Sequence, residues 1–277
     1  MDTHISLRKM FTTNQYQQDD LFNPRDSVRD ILDGIDYAFH IQKSILPEGS
    51  SLNKHFEQFI LFKPKEVVGG DFYWMDELNS KYISICADCT GHGVPGALLT
   101  MLGYQMIENI TRDMRIFDPG EILNHLHRQF LRIFSSEGAL THQGMDVSVC
   151  VYDLDKKTLA YACAKSNILM EINNELYRLK GSHVSIGDPF NKEHLYTTKY
   201  VSINQPAWMF QFTDGIIDQF GGERDKKFKL TNLKKLLDTN LTLHSKEYGE
   251  TIWESLKFWK ESKDQTDDIT LIGTRLK

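Results

Sequence analysis

The sequence has no apolar run near the ~20 residues that a membrane-spanning helix needs, so no helical span is expected in this chain. It has no excess of positive charge: 32 Lys and Arg face 38 Asp and Glu, a net charge of -6. That balance gives no footing for nucleic-acid binding or attraction to an anionic bilayer. Cysteine is scarce. Cys86, Cys89, Cys150 and Cys163 are too few for a disulfide framework and point to reduced thiols in a cytoplasmic compartment. The first residues, with Asp2, His4, Arg8 and Lys9, do not have the layout of a secretory signal. No internal repeat or low-complexity tract interrupts the chain. What is present is ordinary globular composition, 40% apolar and 25% charged, enough for a sizeable core.

Residues 1–25 are polar and glutamine-rich and read as a flexible lead-in. Over 26–47 the apolar residues Val28, Ile31, Leu32, Ile35, Ala38, Phe39, Ile41 and Ile45 recur at helical spacing, with Asp26 or Ser27 as cap and Pro47 as stop. Such a stripe suits either a helix packed on its own domain or a linker helix that pairs with a second copy. From Phe56 the period becomes two. Strands are expected at 56–63, 71–76, 81–88, 146–153, 158–164, 167–172, 175–179, 197–203, 207–213 and 268–275. Helices are expected at 96–112, from Asp118-Pro119-Gly120-Glu121 onward, and near 230–239 and 245–260; aspartate, proline and glutamate there make an N-terminal cap. The order is not the strict strand–helix alternation of a parallel sheet. It suits antiparallel sheets with helices outside, in one domain over 48–277.

Four segments set an aspartate beside glycine or at a strand end: Val68-Gly69-Gly70-Asp71-Phe72-Tyr73, Ala87-Asp88-Cys89-Thr90-Gly91-His92-Gly93, Phe212-Thr213-Asp214-Gly215 and Thr266-Asp267-Asp268-Ile269-Thr270. A lone Asp-Gly is usually a turn. Here apolar strands deliver the carboxylates, and alternation puts Ser84, Cys86 and Asp88 on one face of theirs. Gathered carboxylates repel one another and resist ionising. Hard divalent cations relieve that repulsion, and a pair ~3.5–4 Å apart can hold a phosphoryl group for attack by water. The residues alone therefore point to a two-metal phosphoester site.

Rival motifs fail in context. Gly91-His92-Gly93-Val94-Pro95-Gly96 fits the dinucleotide fingerprint, but the next element is a second helix rather than a parallel strand ending in an acid. Gly69-Gly70-Asp71 resembles a cyclase signature without its upstream aspartate. Cys86 and Cys89 fall on opposite faces of a strand, which favours packing over zinc. Asp153 and Asp155 lack the later residues of a calcium loop and read as turn residues. His92 either donates to phosphate or braces its turn.

Taken together, the four segments, in this order and at these separations, resemble the metal-dependent protein phosphatases of the type 2C class, in the bacterial branch of the stage II sporulation protein E phosphatase domain. The resemblance extends over roughly 28–277 and includes Ile41-Gln42-Lys43-Ser44-Ile45-Leu46-Pro47, Gly144-Met145-Asp146-Val147-Ser148 and Asp214 through Gly222.

It implies a four-layer α-β-β-α sandwich (α/β, in its α+β form) of two mainly antiparallel sheets flanked by helices, holding two divalent cations, Mn2+ or Mg2+. Asp88 would bridge both ions and Asp214 and Asp267 would complete one site. Asp71 and the backbone carbonyl of Cys89 would serve the other. On this reading Asp88 and Asp214 carry catalysis. Asp146 corresponds to a weaker third-metal position, Asp268 to a supporting role, and water activated by the metals is the nucleophile. Eukaryotic relatives grip phosphate with an arginine near the first motif; the nearest cation here is Lys65. No general acid is assigned.

The resemblance further implies a phosphoserine or phosphothreonine substrate on a STAS-type anti-sigma-factor antagonist in a bacterial partner-switching pathway. The 26–47 helix would act in switching and as a homodimer contact. Two other readings stand beside this one: a catalytically idle phosphatase fold that binds a partner, and a hydrolase of small phosphoesters.

Overall fold

The computed structural model describes residues 24–47, 56–134, 143–173, 175–239 and 244–277, with side chains from residue 28. The expected lead-in over 1–25 lies almost entirely outside them, as do the side chains of Asp26 and Ser27. Two compact units divide the chain, residues 1–37 and 38–277. The division falls inside the first helix.

That helix, α1, runs Pro24–Ile45. In the first unit its turns carry Val28, Ile31, Leu32 and Tyr37, all exposed. No helix among the described residues is long and apolar enough to cross a membrane.

Among the described residues the second unit has two five-stranded sheets, with strands numbered in chain order. One sheet has the order β1 (Glu57–Lys63), β12 (Ile269–Leu276), β9 (Ala207–Phe212), β6 (Asn167–Ile172), β7 (Glu175–Lys180). The other has the order β2 (Asp71–Leu78), β3 (Lys81–Cys89), β4 (Met145–Asp153), β5 (Thr158–Ala164), β8 (Lys199–Ser202). Neighbours in both sheets pair antiparallel. Helices α2 (Gly93–Glu108) and α3 (Pro119–Phe134) cover the second sheet, while α5 (Lys229–Thr239) and α6 (Ser245–Lys260) cover the first. The five-residue helix α4 (Asp214–Asp218) and the hairpin β10 (Phe220–Gly221) and β11 (Lys226–Lys227) are too short for a periodicity reading to find.

Alternation along each strand makes three apolar layers out of these elements. Phe72, Trp74, Ile83, Ile85, Ala87, Val147 and Val149 face α2 and α3. Trp208, Phe210, Phe212, Ile269 and Leu271 face α5 and α6. Between the sheets lie Tyr82, Cys150, Tyr152 and Cys163 of one against Ile168, Met170, Met209 and Leu276 of the other. These are the four layers expected from the resemblance.

The middle layer also contains a polar tie. Ser84 Oγ donates to Gln211 Oε1 at 2.6 Å, and Gln211 Nε2 donates to the Ser84 and Ser148 carbonyls at 3.2 and 3.0 Å. Each buried polar atom there finds a partner from the opposite sheet, which fixes how the sheets register. Asp153 closes the β4–β5 turn by accepting from the Asp155 and Lys156 amides, the turn role expected of it.

Helix α3 opens as its sequence specifies, the Glu121 amide donating to Asp118 Oδ1 at 3.0 Å. The four cysteines are free and buried, with Cys86 in the layer between the sheets and Cys89 under α2, so the pair packs on opposite faces.

Candidate metal centre

The parity that sends Tyr82, Ser84 and Cys86 between the sheets sends Asp88 there too, at the end of β3. Asp71 at the start of β2 pairs with it in register, and Asp146 on β4 pairs with it from the other side. Directly opposed residues on adjacent strands have Cβ atoms ~4.5–5.5 Å apart, so three carboxylates stand in one cross-strand row. The opposite sheet ends at the same place: Thr213-Asp214 follow β9 and Asp267-Asp268 precede β12.

Asp71 is held from both of those strands. Thr213 Oγ1 and Thr270 Oγ1 each donate to its Oδ2 at 2.7 Å. Burial nonetheless raises its pKa well above the usual carboxylate range, against those hydrogen bonds and with help from Asp268 and Asp267. Asp88 is pushed well up by burial first, then by Asp71, Asp214, Asp146 and Asp267. All four of these neighbours are carboxylates, and Lys165 is the cation that feels Asp88. Asp214 is raised by burial and then by Asp218, Asp267 and Asp146, with Lys165 opposing.

Asp268 does something else. Its Oδ1 accepts from the Lys65 amide and its Oδ2 from the Gly70 amide, both at 2.7 Å. It pins the loop that leads into Asp71. Beside it the Gly70 backbone passes so close to the next loop that a Cβ there would lie 2.3 Å from the Gly91 carbonyl oxygen. Glycine is required at that crossing. The same loop is held from α1, where buried Gln42 donates to the Gly69 carbonyl at 2.7 Å and accepts from the Gly69 amide at 3.2 Å.

His92 Nδ1 lies 2.6 Å from Glu66 Oε1 and its Nε2 lies 3.2 Å from Lys65 Nζ. Both contacts brace the turn, and they hold Lys65 at His92 rather than among the carboxylates. The cation that does stand among them is Lys165, a residue the motifs do not single out. Its Nζ is 3.2 Å from Asp146 Oδ2, while Ser185 Oγ donates to Asp146 Oδ1 at 2.6 Å. Asp88, Asp146, Lys165, Ser166, Asn167, Thr213 and Asp214 line a cavity of about 110 Å³.

Ser185 is delivered by a loop pinned to α3. The Gly187 amide donates to His127 Nδ1 at 3.1 Å, and His127 Nε2 donates to the Asn191 carbonyl at 3.1 Å. His127 is therefore neutral, and burial lowers its pKa. A histidine with a folded-state pKa below its unfolded value contributes stability above pH ~6.5 that is lost as pH falls beneath it. Thermal melts are expected to show a larger loss between pH 7.5 and pH 5 for the wild type than for His127→Gln; equal losses would contradict this.

Among the described residues, no three His, Cys, Asp or Glu side chains converge closely enough to form a ready cage for an ion. The donor chemistry still fits a divalent cation. Asp71, Asp88 and Asp214 are hard oxygen donors, desolvated and crowded by further carboxylates, and that repulsion is what a divalent cation relieves.

A family model for stage II sporulation protein E (SpoIIE) matches residues 79–277. The chain belongs to the SpoIIE family. Among solved structures it is similar to the SiaA-PP2C domain of Pseudomonas aeruginosa, at 32% identity and a TM-score of 0.81, over 91% of this chain and 99% of that one. It is also similar to the PP2C phosphatase domain and regulatory fragment of SpoIIE from Bacillus subtilis, at 17% identity and a TM-score of 0.65, over 80% of this chain and 63% of that one. A third similarity is to the RsbU and RsbW domains of Rv1364c from Mycobacterium tuberculosis, at 14% identity and a TM-score of 0.60, over 79% and 59% of the two chains. A comparison with curated proteins finds no match. Membership in the SpoIIE family gives the enzyme class, the serine/threonine phosphatases of the PP2C type, and the two-sheet sandwich is their fold.

Proposed function

We propose that this SpoIIE-family chain hydrolyses phosphoserine or phosphothreonine on a STAS-type anti-sigma-factor antagonist in the cytoplasm, using two divalent cations, manganese or magnesium. The observation that carries the metal reading is Asp88, which stands in cross-strand register between Asp71 and Asp146 and is pushed up by burial and by four other carboxylates. Asp88 would be shared by both ions, Asp214 and Asp267 would complete one site, and Asp71 with the Cys89 carbonyl would serve the other. When bound, the ions supply positive charge to the phosphoryl oxygens and acidify water for attack.

The chain's own residues do the positioning. Thr213 and Thr270 occupy one oxygen of Asp71 and fix its orientation, while Asp268 fixes the backbone on which Asp71 sits. Asp146 has one oxygen on Ser185 and the other on Lys165, which favours two ions over three. The partner-switching context is supported by the similarity to a protein that joins RsbU and RsbW domains. The exposed Val28, Ile31 and Leu32 on α1 support a role for that helix in pairing with a second copy.

The test is phosphate release from a phosphorylated STAS-type protein and from p-nitrophenyl phosphate, with manganese and with chelator. The protein substrate is expected to be turned over at least about tenfold more efficiently, a difference of ~1.4 kcal/mol, and chelator is expected to stop both reactions. Undiminished release in chelator would overturn the metal reading. Preference for the small ester would leave a small-phosphoester hydrolase.

A further inference from the structure

We propose that Lys165 binds the phosphoryl group of the substrate, the role for which the sequence offers only Lys65. This rests on the phosphatase reading above. A site lined by carboxylates repels a dianionic phosphate ester, and ions shared among those carboxylates offset mainly the carboxylates' own charge. A further cation at the cavity is what the substrate requires. Lys165 is the one basic side chain lining the cavity formed by Asp88, Asp146 and Asp214. Lys65 is engaged 3.2 Å from His92 instead.

The placement of Lys165 is fixed at its backbone, and its tip is exposed beside Asp146. Residues 165 and 166 are the whole connection from β5 in one sheet to β6 in the other, crossing at the carboxylate end of the sandwich. The Lys165 amide donates to the Ser182 carbonyl at 2.9 Å, which fixes that crossing. Its φ is +49°, a left-handed conformation that glycine or asparagine adopts at lower cost, so the turn itself does not call for lysine. The side chain is 59% exposed, and its contact with Asp146 engages one of three ammonium donors. The other two are available to phosphoryl oxygens at the mouth of the cavity.

The competing account is that Lys165 only neutralises Asp146. Titration of inorganic phosphate into the magnesium-loaded protein separates the two, read by calorimetry and by inhibition of p-nitrophenyl phosphate hydrolysis. Lys165→Met is expected to weaken phosphate about tenfold or more, the range for losing a hydrogen bond to a charged group. Its magnesium affinity should stay within about threefold of the wild type on the same scale. Lys165→Arg should recover most of the phosphate affinity. Asp146→Asn releases the ammonium and should leave phosphate binding unchanged or tighter.

Unchanged phosphate affinity in Lys165→Met would overturn the proposal, as would absence of phosphate binding in the wild type. A loss in Asp146→Asn equal to that in Lys165→Met would also overturn it, because Lys165 would then act only through Asp146. A wild type that binds phosphate but hydrolyses no phosphoester defeats the phosphatase reading, and the phosphate titration still decides the question for Lys165.

Discussion

Replacing Asp88 with asparagine is expected to lower phosphate release by at least ~10³-fold, about 4 kcal/mol in the barrier, while leaving the protein folded. Asp88 occupies the middle of the cross-strand row, between Asp71 and Asp146, where Asp214 and Asp267 act on it as well. The same substitution is expected to stabilise the metal-free protein. An amide of equal size removes a desolvated charge from among four like charges, and relief of ~1 kcal/mol corresponds to about 2–4 °C in a domain of this size. Loss of activity with a raised melting temperature separates a catalytic role from a structural one. A destabilised, inactive Asp88→Asn would contradict this picture of the site, since any replacement that unfolds the chain abolishes activity.

Asp268→Ala is expected to act in the opposite sense, with stability falling first. Asp268 is 3% exposed and both its oxygens accept backbone amides, from Lys65 and Gly70 at 2.7 Å. Hydrogen bonds to a charged group contribute ~1.5–3 kcal/mol each, and truncation leaves two donors without a partner, so a loss of about 3–5 kcal/mol is expected. Asp268→Asn is expected to recover only part of it, because one amide oxygen can serve one donor while the NH2 group faces the other. Chemical denaturation measures both. Because the pinned loop continues into Asp71, metal affinity should fall together with stability. An Asp268→Ala protein as stable as the wild type would show that the loop is held by other means, Gln42 on Gly69 being the first to examine.

The sequence specified the scaffold where side-chain alternation was strong. Tyr82–Asp88 reads as a strand with Asp88 on the face of Ser84 and Cys86, and that parity places Asp88 between the sheets. The helix cap at Asp118 and the turn at Asp153 were equally legible, since both use side chains on their own local backbone. The contacts that complete the site are long-range, and periodicity does not encode them. Thr213 and Thr270 lie within the aspartate segments, yet nothing local announces that both hydroxyls meet on Asp71 from 142 and 199 residues away. Lys165 belongs to no motif and meets Asp146 because the β4–β5 register that pairs Val147 with Ala164 continues one step past the end of β5. Lys65, the nearer candidate in sequence, is drawn instead to His92, which Glu66 holds from its other side. The segment α4 was missed because the five residues Asp214–Asp218 are too few to carry a helical period of their own.

The aspartates at the sheet ends are expected to hold divalent cations. Calorimetric titration of manganese into the metal-free protein, beside Asp88→Asn, tests it most directly, because it reads binding without reference to any substrate. Two manganese ions per chain are expected in the wild type, with affinity lost or weakened at least about a hundredfold, ~2.7 kcal/mol, in the variant. A wild-type protein that binds no manganese, or a variant that binds it as well as the wild type, would contradict the claim.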